Sequence, residues 1–259
     1  MSSILRVMTY NVHGCVGVDR RLDVERIGRV IASQNVDAVA LQELDVARTR
    51  SGGGDQPRLL ADQLGMHLEF LAARDCDGGH YGNAVLSRYP LERVRGACLP
   101  RVSERLEPRA LQWVRLLAPA RTINLLNTHL GLDHRERMLH TETVLGRDWI
   151  ADASASGVTV LCGDFNAMPR SLVYQKLTRS LRDAQVLVPH RRAALATFPS
   201  LLPIMRIDHV LVSREVSVRA CEVVRGWPTR IASDHLPIVA ELEIAKLPGA
   251  EREVAEPSP

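Results

Sequence analysis

Gly163-Asp164-Phe165-Asn166 sets a carboxylate and an amide two residues apart. In extended backbone both side chains leave on one side, so an acceptor and a donor could position a water and a phosphoryl oxygen together. Phe165 would point the other way into a core, and Gly163 would admit close approach of backbone or substrate. Glu43, Asp234 and the amide of Asn11 offer an oxygen-only ligand set. Such a set suits a hard divalent cation, Mg²⁺ or Mn²⁺; zinc more often recruits sulfur or several histidines. His129 and His235 can donate to the negative charge that develops on phosphoryl oxygens, where one preorganised donor is worth about 3 kcal/mol. Asp208 is the natural orienting partner for His235.

These residues must be delivered by precise elements. Arg6–Asn11, Ala38–Glu43, Ile123–His129, Val158–Asp164 and Ile204–Asp208 are short, mainly apolar runs that reach a polar residue, and Ser233-Asp234-His235 precedes the run Leu236–Ile244. Strand ends that carry Asn, Glu, His, Asp and Asp-His predict one site on a sheet rim. One Asp or Asn at a strand end is ordinarily a turn former; the joint set points to a metal-phosphoester site. Strands are expected at 4–11, 36–42, 67–73, 83–88, 111–117, 122–129, 158–163, 206–213, 215–224 and 237–244. Helices are expected at 22–33, 57–64, 134–152 and 169–180, the last with Pro169 near its start. Alternating strands and helices predict a layered α/β domain over 1–246, with two sheets face to face and helices outside. The proline-rich stretch 247–259 reads as a disordered tail.

The 259 residues carry a net charge of +3, nearly all of the positive charge as arginine, with no basic run. This permits an anionic substrate without demanding one. The five cysteines are scattered without a CxxC pair, so they read as reduced. No apolar stretch approaches the roughly 20 residues of a membrane span, and no signal peptide pattern precedes Asn11, so a cytoplasmic location is expected.

Taken in order, Thr9-Tyr10-Asn11-Val12-His13-Gly14, Leu41-Gln42-Glu43, Asn83–Ser87, Asn127-Thr128-His129-Leu130, Gly163–Asn166, Arg206-Ile207-Asp208-His209-Val210 and Ser233–Pro237 resemble the motifs of the endonuclease/exonuclease/phosphatase (deoxyribonuclease I-like) family. The resemblance spans about residues 4–244. It implies a four-layer αββα sandwich of two mainly antiparallel mixed sheets and metal-dependent cleavage of phosphoesters. By position, it implies that Asn11, Glu43 and Asp234 surround the metal and that His129 and Asn166 contact the scissile phosphate. Asp164 would orient or deprotonate the attacking water, with Asp208 and His235 as the supporting pair. Family members use either the aspartate or the histidine as general base, and the sequence leaves Asp164 and His235 open. His129 stands where abasic-site endonucleases carry tyrosine, as in the deoxyribonuclease and sphingomyelinase branches. Glu107-Pro108-Arg109-Ala110 and Thr197-Phe198-Pro199-Ser200 resemble a compact bacterial group of metal-dependent hydrolases.

Around this core, Tyr81 and Arg109 are candidate substrate contacts, and Arg206 could clamp a phosphate or form a salt bridge. His13 and His209 read as packing or solvent-facing neighbours. The substrate classes are a lipid headgroup, a small phosphoester or a nucleic acid; no protein partner is indicated. Ten aromatic residues and no basic tract argue against nucleic acid. The chain also shows no amphipathic or hydrophobic membrane-docking segment. A small or lipid-linked phosphodiester is the favoured expectation, with a nuclease and a non-catalytic binding domain as the alternatives.

Overall fold

The computed structural model describes residues 2–188 and 195–245. Its strands are β1 (Ser2–Asn11), β2 (Ala38–Val46), β3 (His67–Cys76), β4 (Gly79–Ser87), β5 (Leu91–Cys98), β6 (Ala110–Ala118), β7 (Arg121–His129), β8 (Thr159–Asp164), β9 (Arg182–Asp183), β10 (Asp208–Val212), β11 (Ser217–Val223) and β12 (Ile238–Ala245). Two six-stranded sheets result, ordered β11-β12-β1-β2-β4-β3 and β5-β6-β7-β8-β10-β9. Each holds one parallel pair, β1 with β2 and β7 with β8, and the remaining pairs are antiparallel.

Side-chain alternation explains the layering. Leu5, Val7, Ala38, Ala40, Leu125, Val160, Val210, Ala240 and Leu242 face the space between the sheets and form one core there. Their chain neighbours Met8, Tyr10, Val39, Leu41 and Val239 face outward onto α1 (Val24–Ser33) and α2 (Gln56–Leu64). On the second sheet Leu111, Trp113, Leu126, Leu161 and Leu211 face α3 (His134–Leu145), α4 (Asp152–Ser156) and α5 (Leu172–Ser180). The expected αββα sandwich is therefore the observed fold. Two further short helices are α6 (Ala184–Leu187) and α7 (Thr229–Ala232).

Several boundaries differ from expectation. The helix expected over 134–152 ends at Leu145, because Gly146 is extended at φ −60°, ψ 164° and a wide turn follows at Arg147–Ala151. Pro169 lies outside α5; Ser171 is the N-cap, its hydroxyl accepting from the Tyr174 amide. Strand β5 was not anticipated. The stretch 247–259 lies outside the described residues.

Candidate active site

The inward face of each central strand changes character along its length. On β1 it reads Leu5, Val7, Thr9, Asn11; on β7 Ile123, Leu125, Asn127, His129; on β8 Val160, Cys162, Asp164. Apolar packing gives way to polar residues and then to the rim. In both parallel pairs the rim lies beyond the carboxyl ends, where open α/β sheets place ligands. Strand β10 runs antiparallel to β8, with Asp208 opposite Asp164. Asp208 is therefore the first residue of its strand, not the last, yet it reaches the same rim.

Glu43 needs a special device. Strict alternation after Gln42 would turn it toward α1 and α2. A register shift between Leu41 and Leu44 and a left-handed backbone at Glu43 (φ 64°) re-aim it to the rim. Asn166 is likewise left-handed (φ 47°), not extended as expected. Its side chain turns back to donate to Leu130 O at 2.9 Å and lies 3.2 Å from His129 Nε2. Gly163 meets the expectation of close backbone approach: at φ 145°, a Cβ would stand 1.8 Å from Thr128 O on the neighbouring strand.

The rim residues form one contact chain across the two sheets. Asn11 Nδ2 donates to Glu43 Oε1 (3.0 Å) and to Asp164 Oδ2 (3.1 Å). Asp164 Oδ1 accepts from the Asn166 amide at 2.9 Å, and Asp164 Oδ2 lies 3.6 Å from His235 Nε2 and 3.4 Å from His129 Nε2. His235 Nδ1 donates to Asp208 Oδ2 at 2.9 Å, and the Phe198 ring packs on this imidazole at 4.8 Å. Asp234 projects beside His13, 3.8 Å away, and the Ser233 hydroxyl ties the segment to Asn11 O.

Electrostatics divides the roles. Burial, reinforced by Asp208, pushes the Asp164 carboxyl up to about 7. Burial opposes charge on His235, but Asp208 and Asp164 outweigh it and raise this imidazole to about 10. Burial and then Arg109 hold His129 well below the usual histidine range, so it is neutral. Arg109 Nη1 lies 3.2 Å from His129 Nδ1. A guanidinium can only donate, so Nδ1 is the acceptor and the ring proton is assigned to Nε2, facing Asp164 and the rim.

Two groups of residues could hold a cation. Asp164, Asp208 and His235 have ligating atoms within 4.8 Å of one another, but His235 already sits as a proton-bearing bridge between the carboxylates. Glu43 and Asp234, with Asn11, are the other candidates. Both acids are partly exposed carboxylates, and neither has a lysine or arginine within ion-pair reach among the described residues. Asn11 Oδ1 accepts from the His13 amide and keeps a second lone pair.

Of the peripheral candidates, Tyr81 and Arg109 are buried against the site. Arg109 Nη1 is shared among Glu107 (2.9 Å), His129 and the Tyr81 hydroxyl (3.4 Å). Tyr81 also lines a cleft of about 220 Å³ beside Glu43, together with Arg50. Arg50 is held by Asp45 through Nε (2.7 Å) and Nη2 (2.9 Å) and lies over the Tyr81 ring at 5.6 Å. Arg206 is not a phosphate clamp: it is buried on Asp183 and over the Tyr174 ring. His209 is packing, buried between Phe165 and Tyr174, with Nε2 2.8 Å from Ala167 O.

Sequence reasoning missed the residues that join the sheets. Gln42 Nε2 donates to Asn127 Oδ1 (2.8 Å), Asn127 Nδ2 donates to Leu41 O and Ala84 O (both 3.0 Å), and Asn83 Nδ2 donates to Ala110 O (3.1 Å). The available signal was a buried-type strand run carrying an amide one or two residues before Glu43 and His129.

The family model described as "Endonuclease/Exonuclease/phosphatase family" matches residues 8–235. The uncharacterized protein YbhP of Escherichia coli K12 is 26% identical over 250 residues, covering 92% of this chain and 96% of that protein. An endonuclease/exonuclease/phosphatase structure from Beutenbergia cavernae is similar at TM-score 0.73 and 24% identity, covering 93% of this chain and 72% of its own. The mannosyl-6-phosphatase of Bacteroides thetaiotaomicron is similar at TM-score 0.74 and 19% identity, with coverage of 92% and 99%.

Proposed function

The chain belongs to the endonuclease/exonuclease/phosphatase family, hydrolases of phosphoester bonds, and we propose that within it this protein is a Mg²⁺- or Mn²⁺-dependent phosphodiesterase acting on a small or lipid-linked phosphodiester. The observation that carries this reading is the placement of two carboxylates, Glu43 and Asp234, with no lysine or arginine in ion-pair reach among the described residues, beside the His129–Asp164–His235–Asp208 array.

Glu43, Asp234 and the amide oxygen of Asn11 would hold the cation, which when bound polarises a phosphoryl oxygen and acidifies a water. His129 offers its Nε2 proton, and Asn166 its amide, to the phosphoryl oxygens. Asp164, titrating near neutrality, orients the attacking water and takes its proton. His235 is protonated at neutral pH, so it serves as a charge-stabilising donor held by Asp208 rather than as the base. Arg109 is the one guanidinium touching this set among the described residues, and Glu107 already shares its charge. A single shared guanidinium, beside the cation and the His235 imidazolium, matches the single charge of a diester better than the two charges of a monoester.

The test is turnover of an aryl phosphodiester after dialysis against a chelator. Activity should vanish, return with Mg²⁺ or Mn²⁺, and be lost in Asp164→Ala. Metal-independent turnover, or an Asp164→Ala enzyme equal to wild type, would refute the reading. A panel of sphingomyelin, inositol phosphates, RNA, plasmid DNA and abasic duplex then identifies the leaving alcohol.

A further inference from the structure

Beside the site stands an apolar ridge that the proposed chemistry does not use. The segment 197–205 is bolted to the catalytic 233–236 segment: the Ser200 amide donates to Asp234 O (2.7 Å), the Leu236 amide to Thr197 O (2.9 Å), and Phe198 packs on His235. The same segment holds the 226–230 turn through Ser200 Oγ to Arg230 O (2.9 Å). From this rigid base Leu201, Leu202 and Ile204 project with 57%, 71% and 69% exposure, and Trp227 with 78%. Leu132, three residues past His129, is 72% exposed on the other strand system.

Arg225 and Arg230 flank Trp227, both exposed. Neither has a carboxylate in ion-pair reach among the described residues; the guanidinium of Arg225 touches only the carbonyl of Ala196, at 3.3 Å. Arg20 and Arg21 lie nearby, since the Val18 amide donates to Ile231 O. The acid beside them, Asp19, is spent on Arg26 (2.7 Å). Separate knobs of leucine, isoleucine and tryptophan, with neighbouring arginines that have no carboxylate in ion-pair reach among the described residues, match the interfacial zone of an anionic lipid surface. Such a surface accepts side chains that insert one by one, whereas a protein partner would need a matching groove.

We propose that Leu201, Leu202, Ile204 and Trp227, with Arg225 and Arg230, dock this protein on anionic lipid surfaces and so present a lipid-linked phosphodiester to the metal rim. The proposal rests on the phosphodiesterase reading for its purpose, but its test does not. The full chain is sedimented with vesicles of phosphatidylglycerol and phosphatidylcholine, and with phosphatidylcholine alone. Binding should require the anionic lipid. The triple variant Leu201→Ser, Leu202→Ser, Trp227→Ser should weaken it about tenfold or more. Arg225→Glu with Arg230→Glu should weaken it by at least about fivefold per arginine. Both variants should keep wild-type turnover of a soluble aryl phosphodiester, which shows that the fold and site survive.

No binding by wild type, or equal binding by the triple variant, overturns the docking proposal while soluble turnover leaves the enzymatic reading intact. Vesicle binding without any metal-dependent turnover does the reverse. The proposal also falls if the triple variant abolishes a solution dimer, or single-stranded oligonucleotide binding, while vesicles are ignored.

Discussion

Replacing Asp164 with asparagine should inactivate this protein and stabilise it at the same time. Asp164 is buried, and its carboxyl is raised from 3.8 to about 7, first by burial and then by Asp208. Above pH 7 the folded protein must carry a charge that the unfolded chain carries in water. The gap from 3.8 to about 7, at about 1.36 kcal/mol per tenfold, amounts to about 4 kcal/mol of destabilisation. The folded state binds the extra proton, so this cost is absent below pH 3.8, grows between 3.8 and about 7, and is complete above. Asparagine removes the charge but cannot reproduce every contact. Its amide nitrogen must face either the Asn166 amide or Asn11 Nδ2, both donors, and one lost acceptor costs about 1–3 kcal/mol. The net gain at pH 8 in a chelating buffer should be about 1–3 kcal/mol, or a rise in melting temperature of roughly 2–6 °C. Turnover should fall by about 10³-fold, the scale expected for losing a positioned general base. Denaturant unfolding at pH 8 and pH 5, compared with wild type, checks the sign. A loss of stability at pH 8, or a gain that does not shrink on acidification, would refute the electrostatic reasoning.

Gly163→Ala should break the site from within the sheet, because its Cβ would fall 1.8 Å from Thr128 O at a φ of 145°. Relief requires β7 and β8 to part, so calorimetry should show a loss of about 3 kcal/mol or more; kcat should drop by about 100-fold as His129 and Asp164 separate, and a wild-type kcat would refute this. Arg109→Met removes the donor to His129 Nδ1 while keeping buried volume; Glu107 can turn to solvent, and the Tyr81 hydroxyl loses only a long 3.4 Å contact. It should lower kcat by about ten- to a hundredfold with little change in melting temperature; an unchanged kcat would show that the tautomer is held by other means.

Much of this was legible in the chain because the central strands are buried on both faces. Runs such as Leu5–Tyr10 and Val158–Cys162 are mainly apolar, broken by Arg6, Thr9 and Thr159, and they differ most at their ends. The order of those ends carried the family. What escaped had local physical reasons. Strand β5 is an edge strand, half open to water, and Leu-Glu-Arg-Val-Arg-Gly-Ala-Cys carries no apolar period. The break at Gly146 is set by a backbone conformation that a helical pattern does not reveal. The docking ridge was invisible because residues 201–204 and Trp227 are far apart in sequence, and neither stretch is amphipathic by itself. For Arg206 the sequence left a phosphate clamp and a salt bridge open, because Asp183, its buried partner, lies on a two-residue strand that no pattern announces.

The seam between the sheets explains why amides precede the rim residues. One sheet supplies Asn11 and Glu43; the other supplies His129, Asp164 and Asp208. The Asn11–Glu43 half and the His129–Asp164–Asp208 half of the rim therefore hold their relative position only as well as the sheets hold theirs. An apolar interlayer fixes spacing but tolerates sliding, since dispersion contacts have no direction. Hydrogen bonds do, and Gln42 to Asn127, Asn127 to Leu41 O and Ala84 O, and Asn83 to Ala110 O all cross the seam. They lie one layer beneath the rim, where a small slip would move Glu43 relative to His129. A buried amide left unpaired costs more than its bond contributes, so any slipped arrangement is penalised at several sites together. The same requirement accounts for the bulge at Glu43. Gln42 must point into the seam and Glu43 to the rim, and regular alternation cannot satisfy both.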